Sequence, residues 1–172
     1  MAFVVEDGTG LTTSNSYVSV AEFKAYWAER DFDFSSYSDG AIEVALVKST
    51  DYIELQYRNR FIGCVLVADQ ALSFPRVGVY VRGIAVEGVP LSLKKAMFEY
   101  GKRTLPDDFE LLPDPAETDK TGQIIEEAKI KVGPISKDIK YASIGAASSI
   151  RYPSADGWLS DLICSGGGVI RN

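Results

Sequence analysis

Few residues in this chain are of a type and spacing that could do chemistry. None of the 172 residues is histidine. That excludes Ser-His-Asp and Cys-His catalysis and leaves no side chain whose ordinary pKa lies near neutrality. Cys64 and Cys164 are the two cysteines. They cannot complete a thiolate zinc site, and they read as two buried thiols in a reduced compartment. The carboxylate pairs Asp107-Asp108 and Glu126-Glu127 are adjacent in sequence. Neighbouring acids point different ways and make a poor general acid and base. Asp7-Gly8-Thr9-Gly10 lacks the lysine and spacing of a phosphate loop and the ligand ladder of an EF-hand, so it reads as a tight turn. No nucleophile elbow, dinucleotide fingerprint or metal motif occurs. The expectation is a protein that is not an enzyme and holds no cofactor or metal.

Binding is the remaining chemistry, and charge bears on it. Lys and Arg total 18 against 24 Asp and Glu, for a net charge of −6. An acidic balance disfavours a general nucleic-acid binder, because neutralising phosphates needs clustered cations. The charge is uneven: residues 1–60 carry −5, residues 61–105 carry +3 and residues 106–172 carry −4. The basic middle holds Arg76, Arg82, Lys94, Lys95, Lys102 and Arg103. It reads either as an interface or as a solvated helix face.

The elements that must position these residues come from periodicity and capping. Hydrophobic residues at 46% and aromatics at 11% suit a globular chain, and this length buries about 70% of the unfolded surface. Ser19-Val20-Ala21-Glu22 fits a capping box, and Val20, Phe23, Tyr26 and Trp27 give one apolar face, predicting a helix over about 20–30. Asp31 to Ser38 is an aromatic-rich loop. Asp39 is a good N-cap for a second helix over about 40–57, in which Ile42, Ala45, Leu46, Ser49, Tyr52, Ile53 and Tyr57 form the stripe. Glu54 and Arg58 form an i,i+4 pair on its outer side. Residues 68–72 suggest one short helical turn, Phe74-Pro75-Arg76 is extended, and 77–88 is an extended loop or small hairpin. Pro90 opens a third helix over about 90–104, with Leu93, Ala96, Met97 and Tyr100 inward and Lys94, Lys95, Lys102 and Arg103 making it basic.

Residues 1–105 thus form a helical body. Residues 106–122, with three prolines and a run of acids, form a solvated linker. Residues 123–142 alternate as a β-hairpin about Gly133-Pro134. Two strands alone are marginal in water, so the hairpin needs a partner surface. Residues 143–172 read as an extended C-terminal arm. Its apolar anchors, Tyr152, Pro153, Trp158, Leu159, Leu162, Ile163, Val169 and Ile170, form a candidate partner interface or else dock on the chain's own domain. The fold class is mainly α with a small β-hairpin, that is α+β. The N-terminus does not read as a signal peptide, and no apolar stretch reaches the length of a membrane span, so the chain reads as made in the cytoplasm.

An ordered set of segments carries a resemblance. Val5-Glu6-Asp7-Gly8-Thr9-Gly10 precedes Asn15-Ser16-Tyr17-Val18-Ser19-Val20-Ala21-Glu22. Thr50-Asp51-Tyr52, Ala68-Asp69-Gln70-Ala71-Leu72, Phe74-Pro75-Arg76, Val89-Pro90 and Lys131-Val132-Gly133-Pro134-Ile135 follow. This order resembles the tailed-phage family labelled putative DnaT-like single-stranded-DNA-binding protein, with Phe74 where a Trp is expected. The resemblance implies a virion protein of the head–tail junction: an adaptor forming a ring of twelve copies on the portal, linking it to the next neck or tail protein, and leaving a conduit for genomic DNA. It implies a location at that junction and, during assembly, in the host cytoplasm. The family label implies the alternative, a single-stranded-DNA-binding module. Its contacts would be Arg76, Arg82, Lys94, Lys95, Lys102 and Arg103, with Arg58 and Arg60 beside them.

Overall fold

The computed structural model describes residues 2–105, 111, 125–131, 136–141 and 152–164. The chain divides into two compact units, Met1–Leu111 with Tyr152–Asn172, and Leu112–Arg151.

The first unit begins with a turn built around one carboxylate. Glu6 is buried, and its oxygens accept hydrogen bonds from the backbone N–H groups of Gly8, Gly10 and Leu11 and from Ser14 Oγ, all at 2.9–3.0 Å. Burying a charge is costly without such partners, and here four donors surround it. The segment Asp7-Gly8-Thr9-Gly10 is the tight turn expected. Gly10 has φ +86, and a Cβ there would lie 3.0 Å from Val67, so both backbone and space require glycine.

Helix α1 spans Val20–Ala28, and the Ser19/Glu22 capping box is present in both directions. Helix α2 spans Asp39–Tyr57. Its N-cap is Ser38, one residue before the expected Asp39, because the Ser38 hydroxyl accepts the Ala41 N–H. Helix α3 spans Leu91–Thr104. It lies against α1 and α2 and buries Leu93, Ala96, Met97, Phe98 and Tyr100. Gly101 allows the close approach: a Cβ there would meet Phe23 at 3.0 Å and Leu46 at 3.1 Å.

Glu54 departs from the expected i,i+4 pair with Arg58. Its carboxylate accepts the Tyr17 hydroxyl, the Ser73 N–H at 3.1 Å and the Ser73 hydroxyl at 2.6 Å. The half-buried carboxylate takes hydrogen-bond donors from the packed loop in place of an exposed guanidinium, because charge-assisted bonds in a shielded site outweigh a surface ion pair.

Residues 61–90 are held by side chains reaching backbone groups. The 68–72 segment is an irregular turn with no helix. Gln70, buried, accepts Val67 N–H at 2.9 Å and donates to the carbonyls of Leu72 and Pro75. Two short antiparallel pairs follow: β1 (Cys64–Val65) with β2 (Arg76–Val77), and β3 (Tyr80–Val81) with β4 (Ile84–Ala85). Arg82 and Gly83 connect the second pair with φ +52 and +80, the two left-handed residues of a tight hairpin turn. Phe74-Pro75 is a cis peptide. Cys64 and Cys164 are both exposed, correcting the expectation of buried thiols.

The larger correction concerns the C-terminus. Residues 152–164 are not an extended arm. Helix α4 spans Pro153–Leu159, a 3-10 turn covers Ser160–Leu162, and both belong to the first unit. Tyr152, Ala155, Leu159 and Leu162 are buried, at spacings of three, four and three that put them on one helical stripe. α4 packs against α3, and Pro153 occupies its first turn, where proline is well tolerated. The chain then runs beside residues 60–62: Ile62 N–H donates to Leu162 O at 3.0 Å and Cys164 N–H to Arg60 O at 2.8 Å. Leu111, within the expected solvated linker, is buried, and its carbonyl accepts the Tyr152 hydroxyl at 2.8 Å.

In the second unit, β5 (Ile125–Lys131) pairs antiparallel with β6 (Ser136–Tyr141), from Ile125 opposite Tyr141 to Lys131 opposite Ser136, with a register shift between Ile125 and Glu127. This is the expected hairpin. Its turn at Gly133-Pro134, linker residues 106–110 and 112–122, and arm residues 143–151 and 165–172 lie outside the described residues. Mainly helical with small antiparallel β pairs, the chain has the α+β class expected. Among the described residues no helix is long and apolar enough to cross a membrane.

Candidate nucleic-acid interface

The basic middle of the sequence separates, in the fold, into cations with structural work and cations without it. Arg76 belongs to the first kind. Its guanidinium donates to the carbonyls of Ile62 at 2.8 Å, Gly63 at 2.7 Å and Phe61 at 3.3 Å, closing the loop that β1 and β2 bracket. Lys94 is 2.7 Å from Glu22 Oε1 and ties α3 to the capping box of α1. Burial pushes the Glu22 carboxyl up, but hydrogen bonds from Lys94 and Ser19 outweigh it and hold it below its ordinary value. Arg82 stands at the β3–β4 turn, 3.6 Å from Asp161. Arg58 and Arg60 are exposed at the end of α2, with Arg60 5.4 Å from the Tyr57 ring centroid. Of these, only Lys94 is carried by α3, and its ammonium is taken by Glu22.

Lys95, Lys102 and Arg103 share the solvent face of α3. Lys95 and Lys102 are seven residues apart, two helical turns, and so stand about 10 Å apart along the axis. Each has an aromatic ring beneath its ammonium. Lys102 Nζ lies 3.6 Å from the Phe32 centroid and 4.2 Å from that of Trp27. Lys95 Nζ lies 4.4 Å from the Trp158 centroid. Cations sit favourably over such faces because the ring quadrupole is negative there. Among the described residues neither lysine has a carboxylate partner.

The rings come from the elements flanking α3. Trp27 ends α1 and is 6% exposed, so its face serves as a floor. Phe32, in the loop after α1, is 40% exposed. It leans on Phe34 at 4.8 Å and Trp27 at 6.0 Å, which holds one edge and leaves the other open. Trp158, in the last turn of α4, is 39% exposed. Arg30 extends the surface: its guanidinium lies 3.5 Å over the Tyr26 ring, and it donates to Tyr26 O at 2.6 Å.

Acids on this face offset part of the charge. Arg103 lies 3.7 Å from Glu99, and its other nitrogen donates to Ser154 Oγ at 2.8 Å, clamping α4 to α3. Arg30 lies 3.8 Å from Glu29. That leaves Lys95 and Lys102 as the cations of this surface with no carboxylate partner among the described residues, while the exposed Asp31 and Asp33 flank Phe32.

The proposed partner anchors sort differently. Tyr152, Leu159 and Leu162 are buried in this chain's own core, which removes them from an interface. Their spacing with Ala155 is the signal that would have placed them there. Ile163 is half-buried and bridges Phe61. Pro153 and Trp158 are exposed, and Val169 and Ile170 lie outside the described residues. Sequence reasoning did not assign Phe32 a role. Its signal was weak, one aromatic in a loop containing Phe34 and Tyr37.

The family model described as Putative DnaT-like ssDNA binding protein matches residues 1–172. No curated protein matches the chain, and no solved structure matches it. The match overturns the expectation of a virion structural protein seated on a portal: the family is described by single-stranded-DNA binding. The arm that was to clasp the neighbours is, over residues 152–164, part of the body.

Proposed function

The chain belongs to the family described as putative DnaT-like ssDNA binding protein, and from that premise we propose that it binds single-stranded DNA on the solvent face of α3. One observation carries the reading: Lys95 and Lys102 lie two turns apart on one helix face, each over an aromatic ring with an exposed edge. Single-strand binders combine cations that track the backbone with aromatic faces on which bases stack. The axial separation of the two lysines is the rise of about three stacked nucleotides.

The net charge of −6 works against this, but its reach is limited. Charges more than about 8–10 Å from the strand are screened at physiological salt. Within the surface, Lys95 and Lys102, which have no carboxylate partner among the described residues, set the phosphate-binding contribution, and Asp31 and Asp33 beside Phe32 keep it small. For two phosphates neutralised on a single strand, log K falls with log salt at a slope of about −1.4. Raising salt from about 50 to 200 mM then weakens binding only about sevenfold. Binding is therefore modest, weakly salt-dependent and tolerant of base sequence.

The test is fluorescence anisotropy of labelled oligothymidylate titrated with the full chain across salt. A slope near that value is expected, falling toward zero in the Lys95→Gln, Lys102→Gln double variant. Absence of binding at about 50 mM salt overturns the reading.

A further inference from the structure

We propose that Phe32 and Trp158 are the two base-stacking positions of this surface, and that Lys102 and Lys95 leave the rings to meet phosphates when a strand binds. The inference rests on the single-strand reading above and deepens it.

The electrostatic contribution of this surface is small. Two lysines, with Asp31 and Asp33 beside Phe32, cannot supply most of the affinity of a single-strand binder, so ring faces must. Aromatic residues are abundant in the body, yet Phe23, Phe34, Phe61, Phe74 and Phe98 are buried. Trp27 is nearly so, and its polar atom is used, with Nε1–H donating to Phe98 O. On the α3 face the rings more than a third exposed are Phe32 and Trp158, at 40% and 39%, while Tyr26 is half-buried against Phe98 with Arg30 over it. They stand on opposite flanks of α3, one from the loop after α1 and one from α4. Each is anchored: Phe32 by Phe34 and Trp27, and Trp158 by the helix that Leu159 and Leu162 bury. A pre-positioned ring loses little freedom on binding.

The lysine covers do not block such use. A cation over an exposed ring is worth about two- to fivefold. A base stacked on an aromatic is worth about 5- to 150-fold. Stacking therefore displaces the ammonium, and the freed lysine, on a flexible four-carbon stem, stays within reach of the adjacent phosphate. Paired bases in a duplex keep their faces stacked on one another, so the arrangement selects unpaired strands.

The experiment measures binding of oligothymidylate, and of a duplex of equal length, to the full chain and to four variants. Phe32→Leu and Trp158→Leu should each weaken single-strand binding about tenfold. Phe32→Tyr and Trp158→Phe should stay within about threefold, because a ring face remains. Both leucine variants are near-surface changes, and their urea midpoints verify folding. Bound oligonucleotide should quench tryptophan fluorescence in the wild type and much less in Trp158→Phe. If the wild type binds while both leucine variants bind equally well, stacking at these rings is overturned and the single-strand reading stands. If the wild type does not bind, both fall.

Discussion

Tyr57 donates a 2.9 Å hydrogen bond to Asp156, across 99 residues of sequence. Tyr100 donates to the same carboxylate oxygen, and the Tyr152 N–H donates to the other at 2.9 Å. One carboxylate thereby joins α2, α3 and the start of α4. Burial, with Asp156 as acceptor, pushes the Tyr100 hydroxyl far above its ordinary value and raises Tyr57 as well. This knot seats the helix that carries Trp158.

Asp156→Ala should destabilise the body by about 2–4 kcal/mol, because it strands two shielded hydroxyls without an acceptor. Tyr57→Phe removes only one donor and should cost about 1 kcal/mol. Urea unfolding of both single variants and the double gives the coupling energy. Strict additivity would mean that the two groups act independently.

Gly101→Ala and Gly157→Ala should move stability in opposite directions. Both positions are helical, where alanine is intrinsically better by about 1 kcal/mol. At Gly157 nothing lies within 4 Å of the added carbon, so the gain should appear. At Gly101 the added carbon meets Phe23 and Leu46, both fully buried and unable to withdraw. Overpacking costs about 1–3 kcal/mol, and a net loss of about 1 kcal/mol is expected in thermal or urea melts.

Stability should depend on acid through Glu22. Its folded-state pKa lies below the ordinary 4.5. A depressed carboxyl contributes stability above the unfolded value and loses it as pH falls through the folded value. The side chain is 41% exposed, so screening keeps the contribution to a few tenths of a kcal/mol. Glu22→Gln should be less stable than the wild type at neutral pH, and the gap should close as pH falls through the depressed folded-state value, below the ordinary 4.5. Urea midpoints across that range measure it, and a constant gap would assign the loss to helix capping alone.

Much of the body was legible in the sequence. Ser19 and Glu22 announced α1, the Ile42 to Tyr57 stripe α2, and Pro90 with Leu93, Ala96, Met97 and Tyr100 α3. Alternation announced β5 and β6. These signals are local: a cap, a period and a turn each act over a few residues, and a helix or hairpin forms on those terms. Within the candidate surface, Lys95, Lys102, Arg103 and Trp158 stood out by type.

Packing between distant segments assigned each of these residues its work. Arg76 and Lys94 look like Lys95 and Lys102 in sequence, yet backbone carbonyls claim Arg76 and Glu22 claims Lys94. Glu54 turned from Arg58 to Tyr17 and Ser73. Cys64 and Cys164 lie exposed, and the anchors Tyr152, Leu159 and Leu162 found their groove in the same chain. A side chain's partner depends on which distant segment packs beside it, and burial then sets whether a charge or ring is spent inside the fold or left at its surface. Local signals alone account for the helices and the basic composition of α3. The packing of α1 and α4 against its flanks decided that two of its lysines would face solvent over Phe32 and Trp158.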